Sequence, residues 1–258
     1  MMPARICYLG DDHLAGAAIY LAGIMLHHGL EFDHVRSGDP PPEDFRNRRY
    51  DLYVVSDYPA AHFGDAAMRY VAQRVEQGAG LAMFGGWESF HGRLGEYHCS
   101  PLADVLPVVM ASTDDRRNRA QPCLINKVAD HPILESLPWQ TPPGIGGWNA
   151  IEPKPAAETL LTVLPFSVRR EGSDFQFTRG DESPLLVVGR HGLGRTAALA
   201  TDVAPHWVGG FVDWGDRRVV QAVGEGFIDV GNWYATFFRN LLVWTGQLEH
   251  VEQVVNLP

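Results

Sequence analysis

An α/β fold with a mostly parallel sheet covered on both faces is what the first 90 residues predict. Continuous apolar runs alternate with helical segments, and the run Gly80-Leu81-Ala82-Met83-Phe84 leads directly into the glycine pair Gly85-Gly86. Strands buried on both faces read as unbroken apolar stretches, and helices between them supply the crossovers that parallel pairing needs. A glycine pair after such a strand permits a sharp turn that exposes one side chain at the carboxyl edge of the sheet.

In chain order, a strand is expected at Arg5 to Leu9, a helix from about His13 to His28, and strands at Phe32 to Arg36 and Asp51 to Ser56. The helix expected from Asp65 to Gln77 places Ala67, Met68, Val71, Ala72 and Val75 at three- and four-residue spacing, with Gly78 as its stop. Beyond the glycine turn, Pro and Gly punctuate shorter strand candidates at Leu106 to Met110, Cys123 to Val128, Thr159 to Val163 and Phe166 to Arg169. The charged run Asp114 to Arg119 reads as a solvated loop, and Gly144 to Asn149 and Trp207 to Phe211 as aromatic loops over the sheet edge. Leu185 to Gly189 and Arg195 to Ala200 read as a hairpin. A helix from Asn232 to Thr245 closes the chain, with Asn232 as its N-cap and Gly246 as its stop. No linker divides the 258 residues, so one domain spanning 1–258 is expected, with about 112–182 as a β-rich insertion.

Composition narrows the partners. A net charge of −10 without a basic cluster beyond Arg116, Arg117 and Arg119 disfavours nucleic acid. The apolar stretch Leu14 to Leu26 is too short to span a bilayer, and no leader pattern is read at the start, so a cytoplasmic location without membrane contact is expected. Cys7, Cys99 and Cys123 are widely spaced and suggest neither a disulfide framework nor a zinc finger. Neither a Gly-x-Gly-x-x-Gly nor a Gly-x-x-x-x-Gly-Lys-Ser/Thr motif occurs, and no His-Glu-x-x-His or His-x-His pair, so no nucleotide cofactor and no metal are expected. A small molecule or protein partner, and a homo-oligomer, fit this composition.

The glycine turn, Asp130-His131-Pro132-Ile133-Leu134, the Gly-x-Gly-Arg hairpin at Gly192 to Arg195 and the Asn-Trp-Tyr-x-x-Phe-Phe-x-Asn-Leu-Leu-x-Trp helix together resemble the class I glutamine amidotransferase-like superfamily. Within it, the chain is most similar to the bacterial GATase1-like proteins and more distantly to trehalose-utilisation-type proteins. The resemblance covers nearly the whole chain and implies a flavodoxin-like sheet with its site at the carboxyl ends of the strands. It also implies a cysteine in a Gly-x-Cys-x-Gly turn and a His-x-Glu after a late strand. Here Trp87 stands at the cysteine position, and Asp202-Val203-Ala204-Pro205-His206-Trp207 replaces the His-x-Glu region. Glutamine hydrolysis needs a thiolate and an activating histidine, so glutaminase activity is not expected.

Candidate catalytic residues are Glu88, His206 and Ser89. Glu88 suits a base or ligand contact, or equally a charge at a helix N-terminus. His206 lies where the superfamily has its histidine, or else anchors its loop. Ser89 suits a Ser-His-Asp set with His206 and Asp202, but a helix-capping hydroxyl fits its position better. Gly86, Trp87, Asp57, Tyr58, Asp202 and His91 are candidate ligand-binding residues, because the topology brings them to the carboxyl edge. Asp11 and Asp12 reach the same edge, or cap the first helix.

Overall fold

The structure, a computed structural model, describes residues 5–248. Its parallel block comprises β1 (Arg5–Gly10), β2 (Glu31–Val35), β3 (Leu52–Ser56) and β4 (Gly80–Phe84), in the order β2-β1-β3-β4. Every residue of β3 and β4 is buried, which requires cover on both faces and accounts for their unbroken apolar sequences. The crossovers carry α1 (Ile19–His27), the single turn α2 (Ala60–Phe63) and α3 (Asp65–Glu76). Met68, Val71 and Val75 of α3 are buried as their spacing predicts, and Gly78 follows at φ 119°. The first helix begins six residues later than the sequence suggests, since 13–18 form turns with bonds such as Gly16 N–H to the His13 carbonyl.

The middle of the chain is β-rich. It contains β5 (Val108–Met110), β6 (Arg116–Lys127), β7 (Gly144–Asn149), β8 (Ile151–Pro153), β9 (Glu158–Leu164), β10 (Phe166–Glu171), β11 (Asp174–Arg179), β12 (Ser183–His191) and β13 (Gly194–Leu199). β13 pairs parallel with β4 and extends one nine-stranded sheet, β2-β1-β3-β4-β13-β12-β9-β6-β7. From β13 outward every neighbour is antiparallel, because a tight turn at Gly192 (φ 56°) joins β12 to β13. The sheet is therefore parallel through its first five strands and antiparallel beyond. β10 and β11 form a separate hairpin whose residues are almost all exposed, including Phe175 and Phe177.

Two readings of this middle region are corrected. Residues 116–119 begin β6 rather than a loop, and the run's charge concealed Asp115, which is 1% exposed. Gly144 to Asn149 is the edge strand β7, not a loop: a Cβ on Gly147 would lie 2.7 Å from the Trp207 ring, so glycine admits the indole against the strand. Trp148, Trp207 and Trp214 are all buried within the chain.

After β13 come α4 (Pro205–Val208), the hairpin β14 (Arg218–Val223) and β15 (Gly226–Gly231), which the sequence did not announce, and α5 (Asn232–Gly246). The helix α5 packs on β3, β4 and β13, with the Phe238 ring 5.6 Å from that of Phe84. Asn232 does not cap this helix. Its Oδ1 accepts from the Asp216 and Arg217 amides, and Gly231 occupies the cap position. The helix runs through Gly246 and ends at Gln247, in the left-handed conformation.

Candidate functional site

Three strands deliver carboxylates to one point at the carboxyl edge. β1 ends at Gly10, where a Cβ would lie 1.6 Å from the Ser56 carbonyl oxygen, so β1 and β3 converge more closely than any side chain allows. Asp11 follows at φ 50° and donates its amide to that same Ser56 carbonyl at 2.9 Å. Asp57 follows β3 at φ 43°. Aspartate tolerates this left-handed region better than most residues, because its short polar side chain bonds locally. Asp202 follows β13 and precedes Pro205, which opens α4.

Each of Asp11, Asp57 and Asp202 offers a carboxylate oxygen within 4.8 Å of the other two. Asp11 accepts from the Tyr8 hydroxyl, Asp57 from the Glu88 amide at 2.7 Å, and Asp202 from the Ala204 amide at 2.8 Å. His206 Nδ1 lies 3.1 Å from the second Asp202 oxygen, with its imidazole largely exposed. Burial pushes the Asp11 carboxyl up to about 7, with the Asp202 charge acting the same way. Burial, then the charges of Asp202 and Asp11, raise Asp57 well above the usual carboxylate range. Burial also raises Asp202, opposed by the His206 hydrogen bond, and that bond in turn raises His206.

The glycine turn forms the adjoining wall. Gly85 N–H donates to the carbonyls of Leu199 (2.7 Å) and Thr201 (3.0 Å), tying the turn to the end of β13. A Cβ on Gly86 would lie 1.9 Å from an Asp57 carboxylate oxygen, so the missing side chain is what admits Asp57. Asn149, at the end of β7, brackets Gly86: its Oδ1 accepts from the Gly86 amide at 3.0 Å, and its Nδ2 donates to the Gly86 carbonyl at 3.2 Å. The same Nδ2 donates to Asp115 at 2.8 Å, and Asp115 also accepts from the His91 and Gly92 amides. Sequence reasoning missed both Asn149 and Asp115, whose only signals were a Gly-rich stretch and a charged run.

No helix follows β4. Residues 86–95 are bends and turns, which removes the helix N-terminus expected beside Glu88 and the capping role expected of Ser89. Ser89 is fully buried and its Oγ accepts from the Asp57 amide at 2.9 Å, so it braces the acid cluster from behind. Glu88 is half-buried and burial raises its carboxyl; no hydrogen bond or ion pair joins it to His206 among the described residues. Trp87 is half exposed, with the Arg116 guanidinium 4.3 Å from its ring centroid. Tyr58 is buried and donates to the Asp39 carbonyl, while His91 Nδ1 meets His98 Nδ1 at 3.1 Å. Asp12 is exposed and stands outside the cluster.

Cysteines lie elsewhere: Cys7 inside β1, Cys123 buried in β6, and Cys99 exposed on the 3-10 turn Tyr97–Cys99. A cavity of about 440 Å³ lies near Arg195 and Trp244, at the start of β13 and the end of α5, and shares no residue with the cluster.

Solved structures with this fold include a cytoplasmic protein of Salmonella typhimurium LT2, 24% identical over 93% of this chain and 99% of that one, with a TM-score of 0.72. A second Salmonella typhimurium cytoplasmic protein is 23% identical over 93% of this chain and 98% of that one, TM-score 0.71. A thua-like protein of Parabacteroides merdae is 14% identical over 95% of this chain and 90% of that one, TM-score 0.56. Among curated proteins none matches the sequence. The family model described as "Putative glutamine amidotransferase" matches residues 53–222, well over half of the chain, and the chain belongs to that GATase1-like family.

Proposed function

We propose that the protein binds a small polar ligand at the carboxyl edge, beside Asp11, Asp57, Asp202, His206 and Glu88, and does not hydrolyse glutamine. One observation carries the second half: Trp87, not a cysteine, follows the glycine pair, and the turn is closed around Asp57 and Asn149. Amide hydrolysis of the amidotransferase kind needs a thiolate at that tip and a histidine to activate it. His206 pairs with Asp202, and among the described residues no thiol bonds to it.

The same Asp202 and His206 pair supports a second reading, a hydrolase or sugar-modifying enzyme. A carboxylate that raises the basicity of a largely exposed imidazole is the arrangement a general base uses. In this reading Glu88 is the polar contact and Ser89 a brace. A single domain with 112–182 as an insertion, a flavodoxin-like arrangement of helices and self-association belong to the same proposal. So does a cytoplasmic location, supported by the descriptions of the Salmonella proteins and by the lack, among the described residues, of any helix long and apolar enough to cross a membrane.

Ammonia release from glutamine tests the proposal. None above background is expected; release that disappears in Cys99→Ser overturns it, since Cys99 is the exposed thiol. A thermal-shift screen against polar metabolites, run on wild type and Glu88→Ala, locates the ligand through compounds that stabilise only the first.

A further inference from the structure

We propose that Asp11, Asp57 and Asp202 form a binding site for one divalent cation, with His206 at its mouth. The inference deepens the ligand-site reading above and rests on it for location. Cations of this class hold oxygens at about 2.0–2.6 Å, which puts opposite oxygens roughly 4–5 Å apart. The three carboxylate oxygens lie within 4.8 Å of one another, a spread that matches one shared ion.

Charge points the same way. Asp11 and Asp202 are 5% and 2% exposed, yet among the described residues no Lys or Arg side chain bonds to any of the three acids. Buried carboxylates are ordinarily paired with cations or coordinate metals, and among the described residues the one basic side chain bonded to any of the three is His206, on Asp202. A separate observation concerns Ser56 at the end of β3. It is fully buried, its Oγ makes no well-aligned hydrogen bond, and it stands close enough to Asp11 to favour the ionised carboxylate. A buried hydroxyl without a well-aligned bond calls for a further partner, and an ion held by the adjoining acids, or a water on that ion, supplies one.

Three oxygens and a peripheral imidazole suit Mg²⁺ or Mn²⁺ better than a thiophilic metal. They also leave coordination positions for water or for an oxygen-bearing ligand. No short motif announces the site, because its members follow β1, β3 and β13 and stand far apart in sequence.

Mn²⁺ alone is the probe, titrated into the full chain near neutral pH and followed by electron paramagnetic resonance and calorimetry. One Mn²⁺ per chain is expected, with affinity falling at least about tenfold in Asp57→Asn and in Asp202→Asn. Asp12→Asn, outside the cluster, keeps wild-type affinity. Circular dichroism and a melting curve establish that each variant folds, and the wild-type stoichiometry stands without them. Absence of stoichiometric Mn²⁺ on wild type, or unchanged binding in folded Asp57→Asn, overturns the cation site. The glutamine assay above is read independently, so either claim can fail alone.

Discussion

Replacing Asn149 with alanine should destabilise the protein by about 4 kcal/mol, a magnitude that follows from its bonds to Gly86 and Asp115. Asn149 is fully buried and makes three side-chain hydrogen bonds: from the Gly86 amide, to the Gly86 carbonyl and to Asp115. Its removal strands a buried donor and a buried acceptor, each costing about 1–3 kcal/mol. It also takes one of three donors from a carboxylate, at about 1.5–3 kcal/mol. Water entering the vacated space recovers part of the sum, which leaves about 4 kcal/mol, or roughly 10 °C in Tm for a domain of this size. Urea unfolding followed by the fluorescence of the 7 tryptophans measures the change. Hydrogen exchange at the Gly86 amide localises it, since that amide loses its acceptor. A loss below about 1 kcal/mol, or unchanged protection at Gly86, would refute the bracket as a structural element.

Gly86→Ala should lower stability by about 1–3 kcal/mol through overpacking, because its Cβ would fall 1.9 Å from the Asp57 carboxylate. Gly38→Ala, with nothing within 4 Å, is the matched control, and equal melting temperatures for the two variants would contradict the close approach. Acid should also weaken the fold through His28. Burial pushes its imidazole down to about 4, aided by His27 and Arg239 and opposed by the Ala235 backbone. The unfolded chain therefore binds a proton that the folded chain rejects between pH 6.5 and about 4. Stability from this group is complete above that window and falls by roughly 3 kcal/mol as pH drops through it. His28→Leu should flatten the dependence by that amount in urea titrations at the two ends of the window, and an identical slope in the variant counts against the assignment.

The parallel block was legible because strands buried on both faces leave an unbroken apolar record, as in β3 and β4, and α3 wrote its buried face in three- and four-residue steps. β7 was not legible, since three glycines and a Trp carry no strand pattern; one of them, Gly147, answers to Trp207, a contact 60 residues away. The β14 and β15 hairpin alternates too weakly to register: Val220 and Phe227 face outward. At the site, Asp57 was named from its place after β3, and Asp202 and His206 from the late-strand region where the resembling superfamily has its histidine. Glu88 and Ser89 drew attention as neighbours of the glycine pair, whereas Ser89 turned out to support Asp57 from within. Asp115 sat inside a charged run whose average suggested solvent. Only its three donors, two of them backbone amides, reveal an interior carboxylate, and backbone geometry leaves no trace in side-chain patterning.

The parallel pairing of β13 with β4 has a consequence for how the chain emerges from the ribosome. The free side of β4 waits for a strand that is made about 110 residues later, roughly 5–20 s at usual synthesis rates. During that interval β1 to β4 present an open apolar edge, and Asp11 and Asp57 stand without Asp202. Arrival of β13 covers the edge and delivers Asp202 in one docking event, so a nascent chain acquires its acid cluster only as the sheet loses its most adhesive face.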